Sequence, residues 1–193
     1  MGGLAAALLL ASAGQPVTVV EKLPHPGGKL RTVDCGGVAV DAGPTVFTAR
    51  WIFEEIFAAA GARLDDHLTL VQSACLARHA WGDGSTLDLW ADRTRSREAV
   101  AAFAGPQEAA RWEGFQAEAK RIWDALEHRF MDAPATSPIG LALRFAPFNL
   151  GQMLAINPFQ TLMAAIRKHL TDPRLIQLYG RYATYTGADP FQA

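Results

Sequence analysis

Two adjacent glycines, Gly2 and Gly3, open an Ala/Leu-rich stretch, and Glu21 follows Gly3 by 18 positions at the end of the apolar run from Val17 to Val20. Glycines at a helix start let backbone amides approach a phosphate, and an acid about 20 residues further on meets ribose hydroxyls. The pattern reads as the back half of a dinucleotide-binding glycine loop. Gly3 stands for its third glycine, and the first two glycines and their strand are expected to precede Met1.

A second glycine-bearing stretch suits phosphate as well. From Lys22 to Thr32 the chain carries Gly27 and Gly28, three basic residues (Lys22, Lys29 and Arg31) and two prolines. Adjacent glycines let the backbone come close to a ligand with its N–H groups turned inward, and Lys29 or Arg31 neutralises charge. An ordinary surface turn is the other reading of the same residues. Asp41-Ala42-Gly43-Pro44-Thr45-Val46 follows, with a Gly-Pro step that fixes a turn. Asp41 and Thr45 have side chains that suit either a ligand or a cap on the next helix.

The elements expected to position these residues begin with a helix from Gly2 to Ala13. It lacks a polar face, so it is expected to be buried against a sheet. Pro16 to Glu21 reads as a buried parallel strand, the second strand of a βαβ unit. Arg31–Asp34 and Val38–Asp41 read as a hairpin, and Ala49–Ala60 as a helix with Trp51, Ile52, Ile56 and Phe57 on its apolar face.

Farther on, Leu68–Val71, Cys75–Trp81 and Thr86–Trp90 read as antiparallel strands. A long helix is expected from Pro106 to about Phe130, with Trp112, Phe115, Ala119, Ile122, Trp123 and Leu126 on one stripe. Residues 132–138 read as a linker. The nearly uncharged stretch 139–166 reads as short helices at a bilayer interface, in a ligand tunnel or in a helical core. A last helix is expected after Asp172-Pro173, to about Tyr185.

Composition narrows the function classes. The 193 residues carry a formal net charge of −1, with no basic stripe for nucleic acid. Cys35 and Cys75 have no C-x-x-C spacing and no His cluster beside them, so neither a disulfide framework nor a metal site is expected. The apolar start imitates a signal peptide but has no basic residue before Lys22, and it is shorter than the roughly 20 residues of a membrane span.

Assembled, these segments resemble the FAD-dependent carotenoid desaturases related to bacterial phytoene desaturase, within the amine-oxidase-like flavoproteins. The carrying segments are Gly2–Ala6, Val19–Lys22, Pro26–Thr32, Asp41–Val46, Leu76–His79 and Gly180–Tyr185. Within that family the sequence is most similar to the branch that desaturates 1-hydroxylated carotenoids at the 3,4 position, the hydroxyneurosporene or methoxyneurosporene dehydrogenases.

The resemblance implies an α/β chain. Residues 1–66 would be part of a Rossmann-like FAD-binding domain lacking its first strand, and 67–193 part of an antiparallel-sheet and helical substrate domain facing the membrane. Gly2 and Gly3 would present a helix N-terminus to the pyrophosphate, and Glu21, with Lys22 beside it, would hold the adenosine ribose. Gly27, Gly28 and Lys29 would cradle phosphate, while Arg31, Gly43, Pro44 and Thr45 would approach the flavin end. FAD is the implied cofactor, a carotenoid the implied substrate, and the cytoplasmic surface of the inner membrane the implied location. Relative to the family the chain is expected to be incomplete at both ends.

No general base is named. His79 and Arg78 match the family, and both are equally suited to satisfying hydrogen bonds at a strand edge; His25, His67, His128 and His169 are expected at the surface. The alternatives are a related flavoprotein acting on phytoene, a retinoid or an amine, and a non-catalytic partner or lipid-binding module.

Overall fold

Ala and Leu lose little side-chain freedom in a helix, and they build α1 (Gly2–Ser12), whose last turn the Ser12 hydroxyl closes on the Leu8 carbonyl at 2.8 Å. The structure, a computed structural model, describes residues 1–44, 46–127, 140, 156–157 and 159–192. They fall into two units, Met1–Gln72 and Ser73–Ala193.

In the first unit, β1 (Thr32–Asp34) and β2 (Ala39–Asp41) form an antiparallel hairpin in which Val33 pairs with Val40. The Asp34 carboxylate accepts the Gly37 N–H across the turn at 2.9 Å. α2 (Arg50–Ala59) packs on α1 and on the 3-10 turn Leu64–Asp66. Arg50 fastens that turn by bonding Glu54 at 2.7 Å and Asp65 at 2.6 Å. Trp51, Ile52, Ile56 and Phe57 are half-buried, as the apolar periodicity of this helix requires.

Three sequence expectations are corrected here. No residue of α1 is buried: a helix apolar all round needs neighbours on several sides, and α2 covers one. Residues 16–21 form no strand and are exposed, because a strand needs a ladder partner and the described residues supply none to this segment. Leu68–Val71 likewise stays outside any sheet.

The second unit is built on β3 (Cys75–Ala80) and β4 (Thr86–Trp90), an antiparallel pair with Arg78 opposite Asp88 and His79 opposite Leu87. Alternation along β4 turns Leu87 and Leu89 inward. α3 (Arg93–Ala104) starts at Asp92, whose carboxylate accepts the Arg95 N–H at 2.7 Å. α4 (Pro106–Leu126) begins with proline at its first turn, where the missing N–H costs nothing. α5 (Leu162–His169) and α6 (Pro173–Gly180) are capped by Thr161 and Asp172. A 3-10 segment, Arg181–Thr186, continues α6.

The core joins Leu87, Val100, Ala109, Trp112, Ile166, Leu170, Leu175 and Tyr179. α3 is an element that the sequence reading does not contain. The expected α4 stripe holds only in part, since Trp112 is buried and Trp123 exposed; Glu108 and Glu118 are buried instead. The expected end of α4 at Phe130, His128, the 132–138 linker, Thr45 and most of the apolar stretch 139–166 lie outside the described residues.

Candidate functional site

The two glycine-bearing segments of the first unit lie back to back. Arg31 accepts the Ala42 N–H at 2.9 Å through its carbonyl oxygen, and Gly43 sits against Lys29 so closely that a Cβ there would lie 1.9 Å from the Lys29 carbonyl oxygen. Gly27, at a φ of 129° that side chains rarely adopt, leaves a Cβ position 2.7 Å from the Leu30 carbonyl oxygen. Both positions therefore require glycine.

Behind this fold of the backbone is a cavity of about 560 Å³ lined by Gly27, Gly28, Lys29 and Pro44 and by Met1, the N-cap of α1. The first-turn N–H groups of a helix have no partner within it, and no side chain caps α1. A Cβ added at Gly2 or Gly3 would meet open space. A helix N-terminus, a glycine-rich turn and a lysine around one cavity suit a phosphate-bearing cofactor such as a flavin dinucleotide. Phe47 and Phe53, with ring centroids 4.5 Å apart, complete the wall. Sequence reasoning missed this pair, which straddles the start of α2.

Arg31 lines a neighbouring cavity of about 560 Å³ with His25, Thr32 and Asp41; Gly28 and Leu30 separate the two cavities. Glu21 and Lys22 line neither, and the Glu21 carboxylate accepts the Leu23 N–H at 3.0 Å.

The second unit holds a cavity of about 510 Å³ walled by Leu76, Trp90, Trp112, Phe115, Leu162, Tyr179 and Tyr182. The Trp112 indole N–H donates to the Tyr179 hydroxyl at 2.5 Å, and Gln116 donates to it at 3.2 Å. Burial pushes the Tyr179 phenol up to about 12, against the opposing pull of the Trp112 hydrogen bond.

Arg78 is spent on a two-pronged pair with Asp88, both bonds 2.7 Å. His79 has a buried Nε2 with no hydrogen-bond partner among the described residues. Burial, then the nearby Arg181, pulls its pKa below the ordinary histidine value, with Asp88 opposing.

Two buried carboxylates anchor α4. Glu108 accepts the N–H groups of Thr171 and Asp172 at 2.7 and 2.9 Å, the Thr171 hydroxyl at 2.7 Å and Arg111 at 3.0 Å. Burial would raise its pKa, and these donors together hold it below the usual carboxylate range. Glu118 pairs with Lys168 at 3.0 Å and bonds Asn157 and His169, each at 2.5 Å. Burial is again the largest single influence, opposed and outweighed by His169 and Lys168. His169, expected at the surface, is therefore a structural contact of Glu118. A glutamate on a helix face gives no sequence sign that loop amides will reach it.

Among the described residues no group of three or more His, Cys, Asp or Glu is placed to hold a metal ion, and no helix is long and apolar enough to cross a membrane.

This chain belongs to the flavin containing amine oxidoreductases, whose sequence pattern it matches over residues 1–160. Along its whole length it is 47% identical to a hydroxyneurosporene desaturase of Rubrivivax gelatinosus, 46% identical to one of Cereibacter sphaeroides and 36% identical to a phytoene dehydrogenase of Streptomyces griseus. It spans 37%, 39% and 37% of those relatives.

Proposed function

We propose that the chain is part of an FAD-dependent desaturase that introduces a double bond into a carotenoid, with a 1-hydroxylated carotenoid as substrate. The observation that carries this reading is the 47% identity, over the whole chain, to a hydroxyneurosporene desaturase. The uncapped α1 N-terminus and the glycine-shaped cavity beside it support it.

On this reading residues 1–66 are part of a Rossmann-like FAD-binding domain. The amides of Gly2 and Gly3 and the turn Gly27-Gly28-Lys29 bind the pyrophosphate. Glu21 and Lys22 take the adenosine ribose once the Glu21 carboxylate releases Leu23, and Arg31, Gly43, Pro44 and Thr45 border the flavin end. FAD, when bound, would supply the acceptor for a hydride leaving one carbon of a C–C single bond, and the neighbouring carbon would lose a proton to complete the double bond. The part played by residues 67–193 is to align the polyene and keep water from it, and the apolar cavity under Trp112 and Tyr179 is suited to that. The enzyme works at the cytoplasmic face of the inner membrane, from which an apolar substrate is drawn.

The test is to refold the chain with excess FAD beside a version extended at both ends with the corresponding segments of the Rubrivivax gelatinosus relative. Flavin absorbance near about 450 nm in the extended protein, and a red-shifted carotenoid spectrum after reaction with hydroxyneurosporene, are the expected results. Absence of flavin from both proteins overturns the cofactor reading. Bound flavin without a spectral change overturns the substrate.

A further inference from the structure

Tyr179, Tyr182 and Tyr185 recur every third residue, and the chain here passes from the last turn of α6 into a 3-10 segment. In a 3-10 helix side chains three apart eclipse one another, so this spacing lines up the rings. Tyr179 and Tyr182 stack with centroids 6.0 Å apart and planes 22° apart, and Tyr182 and Tyr185 with centroids 5.7 Å apart and planes 24° apart. Phe115 extends the row inward, 4.8 Å from Tyr179. Exposure grows along it, from 8% at Tyr179 to 41% at Tyr182 and 75% at Tyr185. The row thus leads from the wall of the aromatic cavity to the surface.

The polar side chains in the depth of that cavity, Ser96, Gln116 and the Tyr179 hydroxyl, are already engaged. Ser96 donates to the Trp90 carbonyl and accepts the Trp90 N–H, at 2.9 and 2.7 Å. Gln116 is bonded to Tyr179, and Arg93 donates to the Glu113 carbonyl at 3.4 Å. What remains for a ligand is mainly aromatic and aliphatic surface, with Arg93 and the Tyr182 hydroxyl among its polar groups. A sugar or a nucleobase would leave its own polar groups unpaired there, whereas a conjugated hydrocarbon chain loses nothing and stacks its π-system on rings set in line.

We infer that the Tyr179–Tyr182–Tyr185 row is the entry track for the substrate polyene: one end of the conjugated chain lies in the cavity against Trp112 and Phe115, and the following stretch lies along Tyr182 and Tyr185. The inference rests on the carotenoid reading above and goes beyond it by assigning the track to particular residues.

The test is binding, read apart from turnover. The full chain is titrated with hydroxyneurosporene in detergent micelles, following quenching of tryptophan fluorescence, since Trp90 and Trp112 line the cavity, and the induced circular dichroism of the polyene band. Tyr182→Ala and Tyr185→Ala should each weaken binding roughly tenfold, the scale of losing one buried ring face, with far-ultraviolet dichroism and Tm unchanged. Tyr182→Phe and Tyr185→Phe should bind like the parent chain.

Equal binding by the alanine variants overturns the track. Competition by squalane micelles as strong as that by the polyene overturns the choice of a conjugated ligand in favour of a general acyl surface. Failure of the parent chain to bind the polyene, alongside an end-extended protein that takes up FAD and desaturates, overturns this inference and leaves the proposed function standing. Failure of all three activities removes both.

Discussion

Gly43 is pressed against the carbonyl of Lys29, with 1.9 Å between that oxygen and the place where a Cβ would sit. Since backbone rather than a flexible side chain is in the way, Gly43→Ala must push the Gly27–Arg31 turn outward. The expected result is at least a tenfold loss of FAD affinity in the end-extended protein, about 1.4 kcal/mol, measured by flavin fluorescence titration. The core of the second unit should keep its near-ultraviolet dichroism. Unchanged affinity would separate this turn from the cofactor.

Glu108 predicts an acid-sensitive joint between α4 and the start of α6. Its carboxylate is held below the usual range in the folded chain, so the stability it lends is present above the unfolded value of about 4.3. That stability is lost as the pH falls through the lower folded value. Glu108→Gln keeps the shape but loses the charge on which two amides, a hydroxyl and Arg111 converge. The expected cost is about 1.5–3 kcal/mol at neutral pH, with a shallower fall of Tm below pH 4 than in the parent chain. Parallel acid limbs would show that the charge contributes nothing.

The legible parts of this fold are those whose signals are local. Pro106 and Asp172-Pro173 mark helix starts, the spacing of Trp51, Ile52, Ile56 and Phe57 marks an amphipathic helix, and alternation in Thr86–Trp90 marks a strand, each of which forms. α3 gives little sequence signal because its opening run Arg93–Glu98 is wholly polar; its N-cap Asp92 and the later apolar Val100 are the signs it offers. The failures at 16–21 and 68–71 have one physical cause: β-branched composition records a tendency to pair, while a strand exists only where a neighbour supplies the ladder. In the glycine segments a tight backbone was legible, and at Gly27 and Gly43 the neighbouring carbonyls of Leu30 and Lys29 dictate the residue type. The Phe47–Phe53 wall and the Glu108 and Glu118 anchors depend on contacts that sequence spacing does not encode.

Tyr179 should titrate late for a phenol. Its folded pKa, raised to about 12 chiefly by burial, lies above the unfolded value of about 10. The associated stability is complete below the unfolded value and disappears as pH climbs through the folded one. Absorbance titration near 295 nm should show a component close to pH 12 that Tyr179→Phe removes. The same variant leaves the Trp112 and Gln116 donors unpaired and should cost about 1–3 kcal/mol. A Tyr179 component at pH 10 in the folded chain would place the phenol in water.

Val20 gives the cleanest separation between the chain as described and the whole flavin domain proposed for it. In the structure Val20 is 89% exposed, so Val20→Lys should alter the stability of this chain by no more than about 0.5 kcal/mol. In the end-extended protein an added N-terminal strand would give residues 16–21 the ladder partner that the described residues do not supply, in a parallel sheet covered on both faces. The same lysine would then forfeit about 1.5–3 kcal/mol of apolar burial and add the cost of an unpaired buried charge. A denaturant titration of both proteins therefore reads the sheet directly. A large loss in the extended protein alone is the expected outcome, and equal tolerance in both would mean that residues 16–21 never enter a sheet.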